Sequence, residues 1–125
     1  GSKTINKKYL FKNINNLENI FDKNKIWRKY YNYQLKNEYQ KVFSLFNKQI
    51  YIEVPSFKYV LKWRNTQEKT NALKSKKNAF MKKDELKRFI QHYEKLTKWM
   101  IKTMPAKADM LIKIDNNQKI KKIII

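Results

Sequence analysis

Residues 49–68 read Gln-Ile-Tyr-Ile-Glu-Val-Pro-Ser-Phe-Lys-Tyr-Val-Leu-Lys-Trp-Arg-Asn-Thr-Gln-Glu, and this stretch decides the fold. Ile50, Ile52 and Val54 alternate with Tyr51 and Glu53, the period-2 pattern of a pleated strand with one face buried. Pro55 cannot donate to a ladder and ends the strand. Ser56 is placed to accept from the free amides of a new first turn, and Phe57, Val60 and Leu61 give the following helix its apolar stripe. A strand feeding a helix through so short a turn is half of a βαβ unit. A parallel partner strand is therefore expected later in the chain.

The helix changes character after Trp63. Arg64, Asn65, Thr66, Gln67, Glu68, Lys69, Thr70 and Asn71 offer no apolar stripe, so this part is expected to project into solvent or to be ordered by what it binds. On the N-terminal side, Trp27, Tyr31, Leu35, Tyr39, Val42 and Phe46 recur in steps of three and four. That spacing predicts one amphipathic helix over residues 25–46, with its tyrosines on a half-buried face. Asp22 is a candidate cap for it. Residues 1–24 read as an irregular or briefly helical lead-in, and Gly1-Ser2 as a remnant of expression whose natural start lies upstream. On the C-terminal side a second helix is predicted over residues 84–104, with Asp84 and Glu85 in its first turn and Pro105 at its stop. Residues 108–115 form the expected parallel strand, Met110, Ile112 and Ile114 on one face and Leu111 on the other, both covered. Asn116, Asn117 and Gln118 supply a turn, and residues 119–125 return as an antiparallel strand. The predicted fold class is α/β: two parallel strands joined by long crossover helices, then a C-terminal β-hairpin, with residues 25–125 as the structured unit.

Composition narrows the function classes. The formal net charge is +20, from 30 basic and 10 acidic residues, which invites a nucleic-acid reading. Only Arg28, Arg64 and Arg88 among the basic residues are arginine, the preferred bidentate reader of phosphates and bases. The remaining lysines sit in a chain rich in Asn, Ile and Tyr, as an A/T-biased coding sequence would give. Gly1 is the only glycine, so no phosphate-cradling Gly-rich loop exists here. The chain has no cysteine, no signal-peptide pattern and no run of roughly 18 apolar residues that would span a bilayer; a cytoplasmic setting without membrane contact is expected. The lysine run of residues 69–83 reads as a solvated loop or an anion-facing flap. His92 is the only histidine, and the carboxylates are scattered singly, so neither a catalytic triad nor a metal cluster can be assembled.

Ordered motifs add a resemblance. Asn-Asn-Leu-Glu (15–18), Trp-Arg-Lys-Tyr-Tyr-Asn (27–32), Val-Pro-Ser-Phe (54–57), Trp-Arg-Asn-Thr-Gln-Glu (63–68), Phe-Ile-Gln-His-Tyr-Glu-Lys-Leu-Thr (89–97) and Met-Pro-Ala-Lys-Ala-Asp (104–109) follow one another as in the C-terminal half of D-glycerate 3-kinase-like P-loop kinases. The chain resembles that half, within the uridine kinase, phosphoribulokinase and pantothenate kinase group, without its Walker A half. The resemblance implies a partial P-loop kinase fold and, for the complete enzyme, ATP, Mg²⁺ and a small hydroxylated substrate. It places Arg64, Gln67, Glu68 and Lys69 on a lid over the nucleotide phosphates, with Arg64 as the phosphate-facing cation and Glu68 holding its guanidinium. It places Asn117 and Gln118 beside the adenine, where a plain hairpin turn explains them equally well, and His92 and Tyr93 near the substrate. Phe80 departs from the family pattern, standing where a glycine is expected. The implied partner is a P-loop half, without which no phosphoryl transfer is expected; the alternatives to a kinase portion are a basic nucleic-acid-binding module and a non-catalytic partner-binding subunit. An uncovered edge of the Ile50–Val54 strand would favour self-association.

Overall fold

The computed structural model describes residues 1–74 and 81–125, and among these residues nine elements form. They are α1 (Lys7–Phe11), a π-helical turn (Leu17–Phe21), α2 (Ile26–Lys36), α3 (Glu38–Phe43), β1 (Ile50–Glu53), α4 (Lys58–Lys74), α5 (Lys83–Thr103), β2 (Met110–Ile114) and β3 (Ile120–Ile124). The fold is mixed α/β. β1 pairs parallel with β2 and β2 antiparallel with β3, giving a three-stranded sheet in the order β1-β2-β3. The parallel partner expected from the strand–turn–helix stretch is thus β2. Asp109 fixes the register: it accepts from the Gln49 amide at 2.9 Å and pairs with Lys48 at 3.1 Å, tying the starts of the two strands together. That amide holds the Asp109 carboxyl below its usual range.

The sheet differs from expectation in which face is covered. Ile50 and Ile52 lie on the open face, 63% and 55% exposed, whereas Leu111 on the opposite face is buried. The Ile/Met side of β2 is likewise only half-buried. Alternation identifies the apolar face of a strand but cannot say whether a neighbouring layer exists to cover it.

The predicted single helix over residues 25–46 is two helices. The break falls at Asn37, whose side-chain amide donates to the Tyr33 carbonyl at 2.8 Å and closes α2; an Asn side chain competes in this way with the helical ladder. Along the predicted stripe only Leu35 is buried, and Trp27, Tyr39, Val42 and Phe46 stay exposed. Asp22 does cap α2, accepting from the Trp27 amide at 3.0 Å and the Arg28 amide at 3.3 Å across Lys25, which adopts a left-handed φ of 61°.

α5 spans Lys83–Thr103, close to prediction, with the Glu85 carboxylate reaching back to the Lys82 amide at 3.2 Å. Leu86 and Ile90 are buried on it, and Met104 just beyond its end. Residues 1–24 contribute Ile5, Leu10 and Leu17 to the same core. They pack on the polar face of α5: Asn15 donates to the Gln91 carbonyl and to Glu94, and the Leu17 amide donates to the Gln91 side chain.

Beneath this layer two cations are almost completely buried. Arg28, 1% exposed, pairs with Asp22 at 2.8 Å and donates to Asn13 and to the carbonyls of Leu10, Glu18 and Asp22. Lys95, equally buried, donates to the carbonyls of Tyr9 and Lys12. Glu18 lies 3.6 Å from Arg28 and 3.4 Å from Lys95 and is shared between them. Two carboxylates thus balance two cations, the condition for burying charge at all. Burial still pushes the Lys95 ammonium below its usual value, Glu18 opposing it.

Candidate functional site

α4 leaves the sheet at Pro55 and crosses α5. Near its base Tyr59 and Trp63, one turn apart on the same helix, stack with ring centroids 5.9 Å apart. Trp63 then donates its indole N–H to the Asn116 carbonyl at 3.0 Å. This bond brings the tip of the β2–β3 hairpin against the side of α4.

The hairpin tip is organised by Asp115. Its carboxylate accepts from the amides of Asn117 at 2.8 Å and Lys119 at 2.9 Å, and the Lys119 amide in particular holds the carboxyl below its usual range. Gln118 takes a left-handed φ of 62° at this turn. The Asn117 amide serves the turn itself, as a plain hairpin requires.

The polar half of α4 is anchored by charge rather than by an apolar stripe. Arg64 meets Glu68 at 2.7 Å and donates to Gln67 at 2.9 Å. Glu68 is buried and also accepts from the Met81 amide at 3.3 Å. The guanidinium lies 5.9 Å from the centroid of the Phe89 ring on α5. Its Nε is buried and has no hydrogen-bond partner among the described residues. Thr66 and Thr70 spend their hydroxyls on carbonyls one turn back, those of Lys62 and Thr66.

These contacts border an open cleft of about 570 Å³ lined by Trp63, Arg64, Gln67, Tyr93 and Gln118 among others, a volume within the usual range for small-molecule sites. Burial pushes the Tyr93 hydroxyl above its usual value, with Arg64 opposing, so at neutral pH it is a phenol able to donate. Of the residues singled out from the sequence, Arg64, Gln67, Tyr93 and Gln118 meet here. Glu68 stands behind Arg64. Lys69 is exposed on α4 and Asn117 on the turn, and neither lines the cleft.

His92 is elsewhere. Its ring contacts the Arg88 and Phe89 carbonyls of its own helix, and it borders a separate hollow with Phe21 and Trp27. Adjacent residues on a helix diverge by about 100°, which separates His92 from Tyr93. Trp63 as the clasp of the hairpin escaped sequence reading; nothing in a helical Trp signals a partner 53 residues away. Part of the lysine run and Phe80 lie outside the described residues.

A second hollow, about 360 Å³, opens between α1 and α5. Tyr9 and Trp99 stack in it at 5.8 Å, ringed by Lys8, Lys12, Lys98 and Lys102. Among the described residues no group of three or more His, Cys, Asp or Glu side chains comes together as a metal site, and no helix is long and apolar enough to cross a membrane.

No family model matches the chain, and neither a curated protein nor a solved structure shows significant similarity to it.

Proposed function

We propose that this chain is the C-terminal, lid and nucleotide-base portion of an ATP-dependent small-molecule kinase, D-glycerate 3-kinase-like, built on part of a P-loop kinase fold. The observation that carries the reading is the meeting of Arg64 and Gln118 in one cleft, the two positions that the motif resemblance assigns to phosphate and base. Gln67 and Glu68 hold the guanidinium in a fixed orientation at the wall of the cleft, with the side chain about a third exposed. A preoriented fork of this kind suits charge that develops on phosphoryl oxygens. Gln118 and Trp63 offer an amide and an indole face at the base side. ATP supplies the transferred phosphoryl group when bound, and Mg²⁺ neutralises charge on its oxygens.

The described residues fit a nucleotide but not Mg²⁺. The carboxylate nearest the cleft, Glu68, is already engaged by Arg64 and the Met81 amide. Metal ligands and the phosphate-gripping loop therefore belong to a second segment, and the chain alone transfers no phosphate.

Titration with ATP tests this, followed through the Trp63 indole N–H and Gln118 amide resonances. Both should shift, with a Kd on the order of 1 mM, and Arg64→Ala should weaken binding about tenfold. Shifts confined to Tyr9 and Trp99, or indifferent to Arg64→Ala, would sink the reading.

The Tyr9–Trp99 hollow favours one other reading, a single-stranded nucleic-acid binder, because stacked aromatics ringed by lysines suit bases and phosphates. A steep fall in oligonucleotide binding with salt, abolished by Trp99→Ala, would identify it.

A further inference from the structure

The sheet is mixed, one parallel and one antiparallel pair, and its Ile50–Ile52 face is open while Leu111 on the opposite face is buried. The register sets Ile50 opposite Met110, and Ile52, Ile112 and Ile123 side by side. By period 2 these five side chains share a face. Ile50, Ile52 and Ile123 on it are 63%, 55% and 51% exposed, and none of the five carries a polar group. β1 is also the outer strand of the sheet, with its far edge unpaired among the described residues. Open face and open edge form one continuous surface.

Charge decides between occupants. Three of the ten carboxylates, Glu18, Asp22 and Glu68, are buried, and β3 with its approach carries exposed Lys119, Lys121 and Lys122. A second copy would bring +20 against +20, whereas an acidic partner gains from the same field.

We propose that the face of Ile50, Ile52, Met110, Ile112 and Ile123 is the docking surface for a separate polypeptide segment of net negative charge, which lays an amphipathic helix across the isoleucines. The inference goes beyond the kinase reading and does not need it: a helix on this face covers the exposed isoleucines whatever the cleft binds.

The probe is a synthetic helical peptide of about 20 residues with a leucine stripe and glutamates elsewhere, compared with its lysine counterpart. Binding to the full chain is read by fluorescence anisotropy and by the isoleucine methyl resonances. The glutamate peptide should bind at least about tenfold tighter than the lysine peptide and shift the Ile50, Ile52, Ile112 and Ile123 methyls. Ile52→Lys with Ile123→Lys should weaken it by at least about tenfold. Ile52→Thr with Ile123→Thr, which keeps β-branching and so the strands, should weaken it measurably with an unchanged circular dichroism spectrum. Equal affinity for both peptides, shifts located at Ile20 and Ile26, absence of binding, or a homodimer in sedimentation that the lysine variant dissociates would each overturn the proposal. The Trp63 and Gln118 resonances report the nucleotide cleft separately, so the two readings fail independently.

Discussion

Arg28 and Arg64 make a controlled comparison within one chain. Each is paired with a carboxylate at salt-bridge distance and each sits in a Trp-Arg dipeptide. Arg28 is 1% exposed, and its donors are taken by Asp22, Asn13 and three backbone carbonyls. Arg64 is about a third exposed, is held by Gln67 and Glu68 of its own helix, and borders a cleft with part of its side chain open to solvent. A guanidinium whose hydrogen-bonding capacity is exhausted internally is architecture. One that is oriented but not exhausted is available to a ligand.

Four substitutions would break or sharpen that contrast. Arg28→Met should have the largest effect, since it strands Asp22 and part of Glu18 as buried unpaired carboxylates. A loss of about 3–5 kcal/mol is expected, read as a lower urea midpoint or outright unfolding. Lys95→Met should cost less, about 1–3 kcal/mol, because Arg28 still accompanies Glu18 while the Tyr9 and Lys12 carbonyls lose their donor. Arg64→Ala should cost about 1–2 kcal/mol, since buried Glu68 loses its cation but keeps the Met81 amide; if its stability loss rivals that of Arg28→Met, the distinction between the two arginines collapses. Tyr31→Phe is the smallest at neutral pH, within about 0.5 kcal/mol. Burial first, and Glu18 second, hold the Tyr31 hydroxyl far above its ordinary 10.0. A phenol whose folded pKa is raised stabilises fully below pH 10 and loses that contribution as pH climbs beyond it. Tyr31→Phe should therefore flatten the alkaline loss of stability measured from about pH 10 upward.

Much of the architecture was legible because it rests on periodicity and punctuation. Alternation through Ile50–Val54, the stop at Pro55, the heptad-like stripe of α5 and the turn residues before β3 all report locally on the backbone. The break at Asn37 was not legible, since the apolar spacing runs straight through it and only the Asn side chain's bond to Tyr33 reveals the end. Nor was the docking of residues 1–24, which cover a face of α5 that reads as Gln91, Glu94, Lys95 and Lys98 and so looks solvent-facing. A buried lysine has no hydropathy signature; its burial is decided by the carbonyls and carboxylate that a distant segment brings. In the candidate site, the spacing of Arg64, Gln67 and Glu68 on one helix was readable, and their meeting with Gln118 depends on Trp63 clasping the hairpin.

The shared carboxylate of Glu18 also has a consequence for the order of events during synthesis. Arg28 finds Asp22 within its own neighbourhood as soon as that part of the chain emerges. Glu18 must wait for Lys95, which lies on α5 and follows β1 and α4 in the chain, to complete its environment. The N-terminal layer therefore stays provisional on the ribosome until α5 has been made, and slowing elongation just before residue 95 should prolong protease sensitivity near Leu10 rather than near the hairpin.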